Sequence, residues 1–103
     1  KAFRVPVPDG SMIDLTLELK RKVTVEELNN LFIKNQNGTL RVTNDPVVSS
    51  DCLGKKCGAI VDLLSTEVLD INGTSLCKVV AWYDNEVGYT HQMIETLRYL
   101  MSL

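Results

Sequence analysis

Residues 81–89 read Ala-Trp-Tyr-Asp-Asn-Glu-Val-Gly-Tyr, and they mark the point where an apolar strand pattern gives way to helical spacing. Residues 76–83 carry one charge, that of Lys78, and are rich in β-branched and aromatic side chains. Such a run is typical of a strand that is buried on both faces. From Val87 onward the apolar residues recur at helical intervals, so the stretch predicts a junction between a strand and a helix.

The polar residues of this junction are the first candidates for a binding site. Asp84 and Asn85 are short enough to accept hydrogen bonds from the free N–H groups at a helix start, so one of them is the predicted N-cap. If Asp84 caps the helix, Asn85 is left with an amide that can donate and accept hydrogen bonds to a ligand's amide. Tyr89 then lies one turn further along the same helical face. The pattern alone favours a simpler interpretation, a capped helix with a buried Trp and Tyr and no ligand.

Two further strands are predicted in the N-terminal part of the chain. Phe3, Val5 and Val7 alternate with Arg4, which indicates a strand with one buried face, and the prolines at positions 6 and 8 place it at an edge or a strand end. Arg4 would then lie on the opposite face, either solvated or available for bidentate binding of phosphate. Residues 12–19 show the cleanest two-residue alternation in the chain and predict the next strand.

The remaining segments complete an α+β pattern. Thr24 and Glu27 form a capping box that predicts a helix ending at Asn37-Gly38, and a short strand should follow at Leu40–Val42. Residues 59–64 and 67–71 resemble strand with a break at Ser65-Thr66, and Asn72-Gly73 predicts a hairpin into the strand at 76–83. We therefore expect a mainly antiparallel or mixed sheet of about five or six strands, covered by two or more helices, with the last helix packed on the sheet.

Composition restricts the classes of function. The chain has 103 residues, enough for one modest core, and its hydrophobic and charged fractions of 45% and 23% are ordinary for a globular protein. Lys and Arg number 11 against 13 Asp and Glu, so nothing favours nucleic acid or an acidic membrane as a partner. Without a membrane-length apolar run or a signal-peptide pattern, a cytoplasmic location is expected. The start without Met suggests a fragment of a longer chain.

The cysteines and the histidine do not form a recognisable reactive or metal-binding motif. Cys52, Cys57 and Cys77 are odd in number, and their spacings match neither a disulfide framework nor a zinc site. His91 is expected on the surface of the last helix. The sequence therefore predicts no metal site and no catalytic residue within the chain.

Three blocks of sequence resemble one enzyme family. Residues 82–89, Trp-Tyr-Asp-Asn-Glu-Val-Gly-Tyr, resemble the C-terminal signature of phosphorylating glyceraldehyde-3-phosphate dehydrogenase. Residues 2–16, which include Ala-Phe-Arg-Val-Pro-Val-Pro and Asp-Leu-Thr, and residues 45–51, Asp-Pro-Val-Val-Ser-Ser-Asp, resemble the same family. The blocks occur in the family's order and at similar separations. The resemblance covers essentially the whole chain and implies that residues 1–103 are the C-terminal part of that family's catalytic domain.

The resemblance implies a function for the complete protein and roles for three residues. The family oxidises and phosphorylates glyceraldehyde 3-phosphate with NAD and inorganic phosphate, through a cysteine thiohemiacetal and a thioester, and it is usually a homotetramer. By resemblance, Arg4 would bind substrate or inorganic phosphate, Asn85 would orient the nicotinamide carboxamide, and Tyr89 would lie near the ring. The nucleotide-binding domain and the catalytic cysteine and histidine would lie upstream, so residues 1–103 alone are expected to be inactive. The choice between NAD and NADP stays open.

Two interpretations from other classes also remain. The chain could act alone as a non-catalytic interaction domain that uses an open sheet face. It could also be a small metal-binding module built on its cysteines, although the missing Cys-x-x-Cys pair argues against that.

Overall fold

The computed structural model describes residues 3–103, so Lys1 and Ala2, the latter the first residue of one family-like block, lie outside the described residues. Four strands, two α-helices and one 3-10 helix make up the fold. In chain order they are β1 (Ser11–Leu19), α1 (Val25–Lys34), β2 (Leu40–Thr43), the 3-10 helix Ser49–Cys52, β3 (Ala59–Ile71), β4 (Thr74–Tyr83) and α2 (Val87–Ser102).

The strands form one mixed sheet in the order β1-β4-β3-β2. β4 pairs antiparallel with both β1 and β3, whereas β2 runs parallel to β3. The predicted α+β class and the mixed sheet are confirmed. The described part of the chain contributes four strands, fewer than the five or six expected.

The predicted strand over Phe3–Val7 is wrong, because residues 3–10 have no strand structure. The Val7 N–H donates to the Val5 carbonyl at 2.8 Å, which closes a three-residue turn around Pro6. Pro6 and Pro8 have no N–H to give to a sheet, so this segment cannot sustain a ladder. Phe3, Arg4 and Val5 are all exposed as a result.

β3 runs unbroken through the position of the predicted break, which appears instead as an irregularity within the strand. Ile60 to Asp62 pair with Trp82 to Val80, and the pairing resumes at Glu67 opposite Lys78. The four residues between them therefore face a single residue of β4. Asp62, which is buried, accepts the Leu64 N–H at 3.1 Å and the Ser65 hydroxyl at 2.7 Å. These bonds satisfy donors within the segment that leaves the ladder.

The local turn and cap predictions are largely confirmed. Asn72 and Gly73 have φ of 51° and 90°, the left-handed pair that a tight two-residue hairpin requires. The Thr24–Glu27 capping box has both of its hydrogen bonds. Helix α1 ends at Lys34, earlier than predicted, because the Asn35 side chain donates to the Leu31 carbonyl at 2.7 Å and caps the last turn.

The core lies between α1 and the sheet. Val61, Leu63 and Val79 are buried at its centre, and partly buried apolar residues of α1, β2 and β4 pack around them: Leu28, Phe32, Leu40, Val42 and Ala81. The predicted packing of α2 on the sheet is wrong for this structure. Gly88 is the one buried residue of α2, and the helix holds no extensive contact with any strand of the described chain.

Candidate functional site

The predicted site residues belong to segments that leave the same end of the sheet. In the antiparallel pairing of β1 with β4, Ser11 lies opposite Tyr83. Arg4 precedes β1 by seven residues, and Asn85 follows β4 by two. The start of β1 and the end of β4 thus bring both segments to the same end of the sheet. This end, which carries residues 4–10 and 84–89, is called the edge of the molecule below.

Asp84 anchors this edge. Its side chain is 2% exposed, and its Oδ1 accepts the N–H groups of Glu86 at 2.9 Å and Val87 at 2.7 Å. Its Oδ2 accepts the Gly54 N–H at 2.8 Å. The bonds from Gly54 and Val87 are the main reason that the pKa of Asp84 lies below its ordinary value. Glu86 is the residue directly before α2, but the Asp84 carboxylate accepts the first free N–H groups and so supplies the capping bonds that were predicted for Asp84 or Asn85. It also ties the helix start to the loop after the 3-10 helix.

The capping bonds of Asp84 determine where Asn85 and Tyr89 lie. The Gly88 N–H donates to the Asp84 carbonyl at 3.2 Å, so helical hydrogen bonding begins across Asn85 and places Tyr89 one turn further on. Asn85 is exposed, and Tyr89 is 73% exposed. Within residues 3–103 neither side chain makes a hydrogen bond, so both keep their polar groups free for a ligand.

Arg4 is also exposed and has no ion pair within the described residues. The structure brings its segment toward the start of α2 through Asp9, which lies five residues later. No described contact joins Arg4 itself to Asn85 or Tyr89.

Sequence reasoning missed an acidic cluster at this edge. Asp9, Asp84 and Glu86 each have a carboxylate oxygen within 4.8 Å of the others. A hydrogen bond with Asp9, reinforced by its charge, raises the pKa of Glu86 above its ordinary value. The proximity of Asp9 to Glu86 links the segment that carries Arg4 to the start of α2. The cluster could not be found from neighbouring residues, because Asp9 approaches Asp84 and Glu86 only through the pairing of Ser11 with Tyr83.

Helix α2 is held further along by contacts with the loop before β3 and the residue before β2. An ideal Cβ at Gly88 would lie 3.1 Å from the Cys57 carbonyl oxygen, so a side chain there would require the helix or the Cys57 backbone to shift by a few tenths of an ångström. The Gln92 Oε1 accepts the Thr39 hydroxyl at 2.7 Å, and its Nε2 donates to the Lys56 carbonyl at 3.3 Å. These contacts orient the helix that begins beside Asn85.

The cysteines and the histidine show no catalytic arrangement within the described residues. Cys77 is fully buried, and the buried Cys52 has its Sγ 2.8 Å from the Ser49 carbonyl oxygen. Burial raises the pKa of the Cys52 thiol, which disfavours the thiolate. The Nε2 of His91 lies 3.8 Å from a carboxylate oxygen of Glu95 on the same helix. No described hydrogen bond joins His91 to a cysteine.

The fold defines an α+β domain with a four-stranded mixed sheet and two α-helices. A family model described as the C-terminal domain of glyceraldehyde 3-phosphate dehydrogenase matches residues 1–85. The chain belongs to that family. Asn85 is the last residue within the match, and Tyr89 lies beyond it.

Curated relatives extend the match over nearly all of the chain. A glyceraldehyde-3-phosphate dehydrogenase of Clostridium acetobutylicum is 44% identical over 102 residues, which cover 99% of this chain and 30% of the relative. Proteins of the same name from Streptococcus pyogenes and Streptococcus dysgalactiae subsp. equisimilis are 42% identical over the same shares. The chain thus spans about 30% of the length of the curated relatives it matches. No helix among residues 3–103 is long and apolar enough to cross a membrane.

Proposed function

We propose that this chain is the C-terminal part of the catalytic domain of an enzyme that oxidises and phosphorylates glyceraldehyde 3-phosphate with NAD. Family membership and the names of the relatives support the reaction. The pairing of Ser11 with Tyr83 is the structural observation that carries the proposal. It puts the segments of Arg4 and Asn85 at one edge of the sheet, where a single active site can use both.

Arg4 supplies positive charge to the phosphate of glyceraldehyde 3-phosphate or to inorganic phosphate. Its guanidinium is exposed and has no carboxylate partner in the described chain, so it can bind an oxyanion with two parallel hydrogen bonds. The turn closed by Val7 and Val5 keeps its segment out of the sheet. The role of Arg4 is electrostatic, because it lowers the cost of bringing phosphate charge into the site.

Asn85 and Tyr89 hold the nicotinamide end of the cofactor. The unpartnered amide of Asn85 matches a carboxamide, which offers one donor group and one acceptor in return. Tyr89 provides an aromatic surface one turn away, and Asp84 fixes both by capping the helix. Held by Asn85 and Tyr89, NAD would supply the hydride acceptor for the oxidation. The residues of this chain contribute to the rate by orientation, since they hold the carboxamide at a fixed angle.

The proposal assigns the remaining functions to the complete protein. We propose that the nucleotide-binding domain, the nucleophilic cysteine and its histidine lie elsewhere in that protein, so that residues 1–103 alone neither bind NAD fully nor catalyse the reaction. A homotetrameric assembly and a cytoplasmic location belong to the same proposal. Exposed apolar side chains on β1, such as Ile13 and Leu15, and on α2, such as Leu97 and Leu100, support further packing partners.

The test uses the complete enzyme that contains this chain. Asn85→Ala should raise the KM for NAD roughly two- to tenfold, the loss expected for one hydrogen bond, while the KM for glyceraldehyde 3-phosphate changes less. Asn30→Ala is the matched control, because Asn30 is an exposed asparagine on α1 without a described hydrogen bond. An unchanged KM for NAD in Asn85→Ala would remove Asn85 from the cofactor site.

The exposed stripe of α2 favours one alternative, a stand-alone non-catalytic interaction domain. Its apolar residues Met93, Leu97, Leu100 and Met101 are all more than half exposed. Sedimentation of the 103 residues alone and with the upstream domain separates the two functions. If the 103 residues self-associate alone but not when the upstream domain is present, the result supports the enzyme. A stable monomer that binds a partner without nucleotide supports the interaction domain.

A further inference from the structure

A cavity that is not lined by Arg4, Asn85 or Tyr89 lies between β2 and the loop that follows the 3-10 helix. Its volume is about 670 Å³. It is lined by Gly38, residues 41–43 and 45–47, Asp51, residues 55–57 and Ile60. Small-molecule sites commonly have volumes of about 300–1,000 Å³. The space is therefore large enough for a small organic ligand rather than for a single ion.

Three basic residues line this cavity. Arg41 belongs to β2, and Lys55 and Lys56 belong to the loop. None of the three forms an ion pair within residues 3–103, although the chain as a whole carries a net charge of −2. The backbone N–H groups of Lys56 and Cys57 also donate to no acceptor in the described chain. Unpaired cations and free amide donors together are the groups that bind phosphate.

The other lining residues suggest what else the ligand carries. Asp45 and Asp51 place two carboxylates beside the cations, which leaves one excess positive charge, and carboxylates accept hydrogen bonds from hydroxyl groups. One oxygen of Asp51 is already used, because it accepts the Val48 N–H at 2.8 Å. Val47 and Ile60 give apolar surface against which a carbon skeleton can pack.

We infer that this cavity binds a small phosphorylated polyol, with its phosphate held by Arg41, Lys55 and Lys56. Asp45 accepts hydrogen bonds from the ligand's hydroxyl groups. The site includes neither Arg4, Asn85 nor Tyr89, although the loop that lines it is bonded to Asp84 through the Gly54 N–H.

Hydrogen exchange measured by mass spectrometry on the complete protein tests this inference, with ribose 5-phosphate as the probe. Peptides that cover residues 40–47 and 53–58 should exchange about elevenfold more slowly at a probe concentration ten times its dissociation constant, if exchange proceeds through unliganded openings. Ribose without phosphate should leave both peptides unchanged. The exposed side chains of Arg41 and Lys55 allow the variant Arg41→Ala/Lys55→Ala to fold, and that variant should lose the protection.

Two controls make the outcome specific. Lys20→Ala removes an exposed lysine elsewhere and should keep the full protection. Arg4→Ala should also keep it, so failure of the dehydrogenase proposal leaves this result intact. Absence of slowing in both peptides, equal slowing in Arg41→Ala/Lys55→Ala, or loss of slowing in Arg4→Ala overturns the inference.

Discussion

The carboxylate of Asp84 and the backbone N–H of Gly54 are joined by a 2.8 Å hydrogen bond although they are 30 residues apart in the chain. The same carboxylate caps α2 through Glu86 and Val87. One buried side chain thus fixes the end of β4, the start of α2 and the loop after the 3-10 helix. Asn85 lies directly after this anchor, so its position depends on bonds that Asn85 does not make.

Asp84→Ala should therefore impair both stability and cofactor binding. The change leaves the N–H groups of Gly54, Glu86 and Val87 without their acceptor, and a lost cap in a domain of this size lowers the unfolding midpoint by roughly 4–8 °C. Thermal unfolding measures the first effect, and the KM for NAD in the complete enzyme measures the second. Asp84→Asn keeps one amide oxygen as acceptor, so its unfolding midpoint and its KM for NAD should lie between those of the wild type and of Asp84→Ala. Equal KM values for NAD in the wild type, Asp84→Ala and Asp84→Asn would show that cofactor binding does not depend on Asp84.

The opposed pKa shifts of Asp84 and Glu86 predict a pH dependence of stability. The pKa of Asp84 is lowered, so its stabilising contribution is present above its unfolded pKa and is lost as the pH falls through the folded value. The pKa of Glu86 is raised, so its contribution is complete below its ordinary value of 4.5 and is lost as the pH rises through the folded value. Stability from this cluster should be greatest between the two titrations.

Glu86→Gln tests the upper titration. The amide keeps a donor for Asp9 and removes a negative charge that repels Asp9 and Asp84 once all three carboxyl groups are ionised. The variant should unfold at a higher temperature than the wild type at pH 7, with a smaller difference at pH 4. Unfolding midpoints across that range provide the measurement. Glu26→Gln, at an exposed position in the first turn of α1, is the control. It should leave unchanged the part of the pH dependence of the unfolding midpoint that Glu86→Gln removes.

Gly88→Ala should destabilise the protein even though it replaces glycine within a helix. Such a replacement usually stabilises a helix by about 0.5–1 kcal/mol. Here the new Cβ would lie 3.1 Å from the Cys57 carbonyl oxygen, so α2 or the loop before β3 must move. Gly38→Ala is the matched control, because a Cβ added at Gly38 would have no atom within 4 Å outside its immediate chain neighbours. A higher unfolding midpoint for Gly88→Ala than for the wild type would contradict the close approach.

Local signals were enough to predict much of this fold. The hairpin at Asn72-Gly73 and the capping box at Thr24 depend on a few neighbouring residues, and both form as the sequence predicts. The strand predicted around Val5 does not form, because Pro6 and Pro8 have no N–H groups to donate to a ladder. The break predicted at Ser65 is an irregularity inside β3, where the buried Asp62 supplies the missing hydrogen bonds.

The candidate site was predictable only where it is local. Asp84 as a cap could be inferred from the strand-to-helix junction, but its bond to Gly54 could not, since the two residues meet through the fold. Asp9 was missed for the same reason. The packing of α2 was predicted from its apolar stripe, yet a stripe shows only that a helix has an apolar face and does not identify the surface that covers it.

Gln92 should hold α2 in place through its two hydrogen bonds. Gln92→Ala removes the acceptor for the Thr39 hydroxyl and the donor to the Lys56 carbonyl, and Thr39→Val removes the first of these bonds alone. Because the Thr39–Gln92 pair is exposed, we expect a coupling energy near the lower end of the usual range of about 0.5–1.5 kcal/mol in a double-mutant cycle of unfolding free energies. The amides of residues 87–92 should exchange faster in Gln92→Ala than in Thr39→Val, since only the former frees the loop contact. Additive effects of the two substitutions would show that the Thr39–Gln92 hydrogen bond does not contribute to holding the helix.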